Sequence, residues 1–348
     1  MCQASFTTLL SSPTWLVPPL LALLCTPAAA DPVADFYQGK SISMVIPTSP
    51  GGDYDRRARM VARHMGKHIP GNPAIVASNM PGGGGIVAAN WLANIAPKDG
   101  SVLLMLTQNL PVVQATGAQN IRFDVRRFNW LGLTTNTPNT VAAWHTSNVR
   151  SVQDAQEREL VVGSTGVGSG SYYYPASMNA LAGTRFKIVT GYPGGNDINL
   201  AMERGEVGGR GSNSWESWKS TRPQWLRDKL IHVLVQIGLK RHPELPGVPL
   251  MLELGRTEDD RNVLAFISAD TAISRPIVTT PDAPRERVAA LRRAFDATMK
   301  DPELLAEAQT SLMDITPESG EEAQKIATSI VDTPAGIVAR AKALLGSK

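Results

Sequence analysis

Four times in this chain an apolar run of strand length ends in a glycine-rich segment, and each time a stretch of helical period follows. The junctions are "SISMVIP" into "TSPGGDYD", "PAIVASNM" into "PGGGG", "LVVGST" into "GVGSGS", and "RFKIVTGY" into "PGGND". Strand, loop and helix repeated in that order predict mainly parallel sheets covered by helices on both faces, an α/β fold. The repetition is architectural, because no sequence repeat of solenoid period accompanies it.

In the first junction, "IPTSPGGDYDRRARM" (residues 46–60), Gly51 and Gly52 leave backbone N–H groups uncovered where a helix N-terminus carries partial positive charge. Read as an ordinary loop, the same stretch makes Asp53 or Asp55 the N-cap. Ala58, Val61 and Met65 then recur at helical spacing. The second cycle runs through "IVAANWLANIA" and the turn "PKDG" into the strand "SVLLMLT". After residue 130 the pattern restarts at "VAAWHT" and continues to "KLIHVLVQIG". Two α/β domains are therefore expected, one from residues 31–135 and 263–348, the other from residues 136–262. Helical segments "RERVAALRRAFDATM", "PELLAEAQTSL" and "GEEAQKIATSIV" close the chain.

The glycine loops all fall at C-terminal ends of strands, where open α/β sheets bind ligands. With two domains facing one another, a small anion between them is held from both sides. The backbone donors expected there belong to Gly51, Gly52, Gly83, Gly84, Gly166, Gly195 and Asn196, with hydroxyls from Thr48, Ser49, Thr165, Ser169 and Ser171. The segment "RGEVGGRGSNSWESWKS", residues 204–220, reads either as an exposed polar loop or as a specificity segment. In the second reading Arg210 pairs bidentately with a carboxylate, Ser212 stands beside it, and Trp215 or Trp218 forms an apolar wall.

Other classes fail on detail. A formal net charge of +3 over 348 residues, with no basic cluster interleaved with aromatics, leaves no footprint for nucleic acid. "PGGGGIVAAN" lacks the Gly-Lys-Ser/Thr ending of a P-loop, and Gly166, Gly168 and Gly170 have the wrong spacing for a dinucleotide turn. There is no G-x-S-x-G elbow. His64 and His68 stand four apart on a predicted helix, but basic neighbours and the missing His-Glu-x-x-His pattern make them a solvated face, not a metal site. Neither metal, cofactor nor catalysis is expected.

Residues 1–30 carry no Asp, Glu, Lys or Arg, and "WLVPPLLALLCTPAAA" places a short apolar segment before small residues. This is the shape of a cleavable export signal, with cleavage after Ala30 and a mature chain starting at Asp31 in the periplasm. Leu24 before Cys25 argues against a lipid anchor. Cys2 and Cys25 both lie in the removed part, so no disulfide is expected.

The ordered motifs resemble one family, the extracytoplasmic solute receptors of tripartite tricarboxylate transporters, or Bug-type receptors. "VIPTSPGGDYDRRAR" is similar to the family's Val-Pro-x-x-Pro-Gly-Gly loop, and "SNMPGGGGIVAANWLANIAPKDGSVLLM" to its Asn-x-Pro-Gly-x-Gly-Gly and Ala-x-x-Asp-Gly elements. "STGVGSGS" and "LPGVPLMLELG" extend the likeness from about Phe36 to about Leu345. The resemblance implies a two-domain clamshell of the periplasmic-binding-protein type (type II-like), crossed by hinge strands, with the ligand in the cleft. The loops Thr48–Asp55 and Gly82–Gly85 would form one half of the site, and Thr165, Gly166 and Ser169 part of the other, with trapped water between. It implies an exported, monomeric, non-enzymatic receptor that captures a small organic anion and presents it to membrane permease subunits. A sensor subunit serving a signalling partner uses the same clamshell, and an exported α/β hydrolase is the remaining rival. Where many relatives carry a Tyr-Lys-Gly-Gly segment, this chain has "GYPGGNDINLAMERGEVGGRGSNSW", so the ligand-facing side of the second domain is expected to differ.

Overall fold

Each predicted strand–loop–helix cycle is realised in a computed structural model that describes residues 1–5, 7–8 and 31–345. The expected export signal and its cleavage point fall almost wholly outside those residues. Among the described residues, eleven strands form two sheets. They are β1 (Ser41–Ile46), β2 (Ala74–Asn79), β3 (Val102–Met105), β4 (Asn129–Leu133), β5 (Asn139–Trp144), β6 (Leu160–Gly163), β7 (Phe186–Val189), β8 (Gly209–Ser214), β9 (Ile231–Ile237), β10 (Pro276–Thr279) and β11 (Glu318–Ser319). The first sheet has the order β11-β4-β10-β3-β1-β2 and the second β7-β6-β8-β5-β9.

The pairing is mixed, and its pattern has a cause. Strands joined through a helix, β1 with β2 and β3, and β6 with β7 and β8, pair in parallel, as crossover connections require. The antiparallel pairs involve β4, β5, β9 and β10. These four strands flank the two places where the chain passes between sheets, at residues 134–138 and between β9 and β10. Mainly parallel character thus holds within each cycle, while the crossing strands bring the antiparallel pairs.

Burial follows the sequence pattern. Strand β3 is buried at every residue, which suits a strand covered on both faces, whereas edge strand β2 alternates exposed and half-buried positions. The helix Asp53–Met65 buries Ala58, Val61 and Met65 against the first sheet. Helix Ala335–Leu345 packs on helices Glu258–Ser268 and Gly170–Ala182, tying the end of the chain to the layer over the second sheet. No helix among the described residues is long and apolar enough to cross a membrane.

Candidate functional site

The C-terminal ends of the strands in the two lobes face one cavity of about 410 Å³. Eleven of the sequence-predicted residues line it: Thr48, Gly52, Gly83, Gly84, Thr165, Ser169, Ser171, Gly195, Asn196, Arg210 and Ser212. Backbone geometry explains the glycines. Gly82 to Gly85 all have positive φ, and a Cβ on Gly84 would come within 2.8 Å of the Gly168 backbone across the cleft. At Gly195 a Cβ would collide with the Arg210 guanidinium, so the backbone there lies directly against the charge.

Ser49, Gly51, Asp55, Gly166 and Trp215 do not line the cavity, although each has a local task near it. The Ser49 hydroxyl donates to Asp197 at 2.6 Å, from one lobe to the other. Asp55 is not an N-cap, and neither is Asp53: helix Asp53–Met65 starts after Gly52, with no side-chain cap. Asp55 sits inside the first turn, reaches back to accept from the Gly51 N–H at 2.9 Å, and also binds Asn79 and Arg59. Gly166 accepts from the Ser169 hydroxyl at 2.9 Å. Trp215 points its indole N–H to Glu244 at 2.6 Å, and Trp218 is fully buried with its N–H on Thr140, so neither forms the expected wall.

Residues 209–214 are not a loop. They form β8, the middle strand of the second sheet, in which Arg210 pairs with Gly163 on one side and Ala142 on the other. Arg210 projects a half-buried guanidinium to the cavity. One Nη donates to Asn199 at 3.0 Å, the Trp218 ring lies 5.5 Å away, and Nε has no partner. No carboxylate among the described residues pairs with it. Burial pulls its pKa down to about 9, Arg275 and Arg222 add repulsion, and Asp53 opposes them only in part.

Sequence reading missed Tyr174, Gln108, Asn109, Asn213, Asp270 and Arg275, all of which line the cavity. Arg275 engages all three of its nitrogens, donating to Asp53 at 2.5 Å, Gln108 at 2.8 Å and Ser214 at 2.7 Å, over the ring of Tyr54 at 4.2 Å. Burial alone would raise the Asp53 pKa, but Arg275 and Arg57 hold it below the usual carboxylate range. Asp270, fully buried, accepts from Tyr173 and Tyr174, the latter at 2.6 Å, and burial pushes its pKa up to about 7. The available signal for Arg275 was a charged residue set immediately before the apolar run "PIVT".

Four buried donors in this lining have no partner: Thr48 Oγ1, Gln108 Nε2, Arg210 Nε and Asn213 Nδ2. Buried polar atoms are rarely left unpaired, because each costs about 1–3 kcal/mol. Outside the cavity, His64 and His68 bond to Glu307 at 2.8 Å and Asp301 at 2.7 Å. Lys67 already supplies a cation to Asp301 and Glu303, so that cluster is a surface ion network.

A profile of the tripartite tricarboxylate transporter family receptor (TctC) matches residues 57–343. A UPF0065 protein from the tcbD-tcbE intergenic region of Pseudomonas sp. strain P51 is 28% identical over 225 residues, 63% of this chain and 64% of that protein, so the match spans just under two thirds of the relative. Among solved structures, the periplasmic binding protein BugD superposes with a TM-score of 0.68 at 18% identity, covering 85% of this chain and 95% of its own. MatC from Rhodopseudomonas palustris, solved with bound malate, gives 0.68 at 20% identity, over 88% and 99% of the two chains. These likenesses carry the fold, the two-domain clamshell of periplasmic binding proteins. With the family profile matching most of its length, the chain belongs to the tripartite tricarboxylate transporter receptor family.

Proposed function

We propose that this protein is a periplasmic solute-binding receptor that captures a small carboxylate in the cavity between its lobes and delivers it to a tripartite tricarboxylate-type permease. The observation that carries the reading is Arg210, a cation at the cavity with an unpaired donor and no carboxylate partner. A ligand carboxylate supplies what it lacks. Thr48, Asn213 and the backbone around Gly52, Gly83, Gly84, Gly195 and Asn196 complete the anion's surroundings, with Thr165, Ser169 and Ser212 beside it. MatC, which shares the fold, holds malate. The reading is of a binder: Ser169 and Ser171 bond to one another at 2.6 Å, not to a base.

Isothermal titration with mono-, di- and tricarboxylates tests this. Arg210→Ala is expected to cost about 2–5 kcal/mol of binding to the best ligand, and Arg210→Lys to recover little, since a point charge cannot reproduce a forked guanidinium. Two variants binding within a few tenths of a kcal/mol of wild type, or turnover of the ligand by purified protein, would overturn the proposal.

A further inference from the structure

Two acidic residues line the cavity, Asp53 and Asp270, and only the first has a cation. Asp53 is paired with Arg275 at 2.5 Å. Asp270, 0% exposed, accepts from the Tyr173 hydroxyl, from the Tyr174 hydroxyl at 2.6 Å and from the Thr271 backbone N–H, with no cation bonded to it among the described residues. These bonds join the lobes. The short 3₁₀ helix Ala269–Ile273, which carries Asp270, packs on helices Leu110–Ala115 and Gly320–Val331 beside the first sheet. Both tyrosines stand on helix Gly170–Ala182, which lies on β7 and β8 of the second. Burial and the neighbouring Asp270 hold both hydroxyls well above the ordinary tyrosine range, so they remain donors. Nothing else around Asp270 supplies a compensating charge. Tyr54, on helix Asp53–Met65, interacts with it as a neutral phenol whose own pKa burial raises. Helix Leu110–Ala115 has no charged residue, helix Gly320–Val331 buries Ala323, Ala327 and Ile330, and helix Glu258–Ser268 carries its charges in its first four positions, at the end away from Asp270.

We propose that Asp270 is a proton-binding site that sets the state of the cleft: the closed form holds the neutral acid, and loss of the proton as pH rises opens the lobes. A carboxylate without a cation is costly to keep dry, and the neutral acid is not. Asp270 sits in the cavity wall, so parting the lobes brings water to it and lets its pKa return toward the ordinary value. The closed form therefore binds the proton more tightly than the open form, and raising the pH favours the open form. The window runs from about 4, the ordinary value, up to about 7, the value burial gives Asp270 in the closed form. Inside that window, closure takes up a proton whatever the ligand is.

Small-angle scattering of the unliganded full chain from about pH 4 to about pH 8 tests this without any ligand. The wild-type radius is expected to rise across the window and to level off above about 7. Asp270→Asn, which keeps the shape and stays neutral at every pH, is expected to hold the small radius throughout. The chain's five histidines remain in that variant, so a rise that survives in it arises from other groups and overturns the proposal. A second measurement on wild type alone covers the case in which the variant does not fold. Infrared difference spectra are expected to lose the carbonyl stretch of one buried carboxylic acid over the same pH range in which the radius rises. A constant wild-type radius, or a rise with no such band lost, would each overturn the assignment, and neither result would touch the carboxylate-receptor reading.

Discussion

Asp270 is a fully buried carboxyl group that accepts from two tyrosine hydroxyls and the Thr271 backbone N–H, with no ion pair among the described residues, and burial lifts its pKa to about 7. In the unfolded chain the same group titrates near its ordinary value, about 3.9. Between those values the folded protein holds a proton that the unfolded chain has released. Stability is therefore full below about pH 4, falls by up to about 1.4 kcal/mol per pH unit as pH rises, and levels off above about 7. Asp270→Asn is expected to remove this downward slope, as read from urea midpoints between pH 4.5 and 8; a variant with the wild-type slope would refute the assignment. Legibility at this scale depended on whether a residue looked out of place. Arg210 stood between two glycines and was visible. Gln108 and Asp270 are ordinary polar residues with no local signal, and burial by elements distant in sequence brings them to the cavity, whereas Asn213 lies inside the conspicuous segment 204–220 but carried no signal of its own.

At the scale of elements, the strand–glycine–helix cycles were readable because both periodicities and the glycines are local signals. Strand β8 was not. Its sequence, "GRGSNS", has poor strand propensity, and the tertiary setting overrides it: a Cβ at Gly209 would meet the Ala142 carbonyl oxygen at 2.6 Å, and one at Gly211 would collide with the Ser171 carbonyl oxygen. The start of helix Asp53–Met65 gives a prediction. Asp55, 4% exposed, is the shared acceptor for the Gly51 N–H, Asn79 and Arg59, each at 2.9 Å, and so ties the glycine loop to β2 and to its own helix. Asp55→Ala removes the shared acceptor of three part-buried donors that water can partly satisfy, and is expected to cost about 1–2 kcal/mol of stability, with weaker ligand binding because the loop carrying Thr48 and Gly52 loosens. Denaturant titration with an unchanged m-value checks the first part. A midpoint equal to wild type would show that the brace carries no weight.

At the scale of the whole molecule the cleft is closed by more than its ligand site. Ser49 to Asp197, Arg275 to Ser214, Arg56 to the Ser220 carbonyl and Asn109 to the Gly168 carbonyl all run between the lobes. Beneath them Arg57 and Glu216 form an ion pair, 0% and 1% exposed, that joins helix Asp53–Met65 to helix Trp215–Thr221. Thr135 donates to the second Glu216 oxygen at 3.0 Å, and burial raises the Glu216 pKa against the pull of Arg57. Such a pair adds little when intact, because both ions lose water on closing, but removing one partner leaves the other buried and uncompensated at about 3–5 kcal/mol. Opening the cleft rehydrates the survivor. Glu216→Gln is therefore expected to shift the population toward the open form, although neither Glu216 nor Arg57 lines the cavity. Apparent affinity scales with the closed fraction, so every ligand should weaken by the same factor, about tenfold or more, and the unliganded scattering radius should increase. Arg210→Ala should behave differently, weakening carboxylates selectively without enlarging the unliganded particle. If Glu216→Gln matched wild type in both scattering and affinity, the buried pair would have no part in closure.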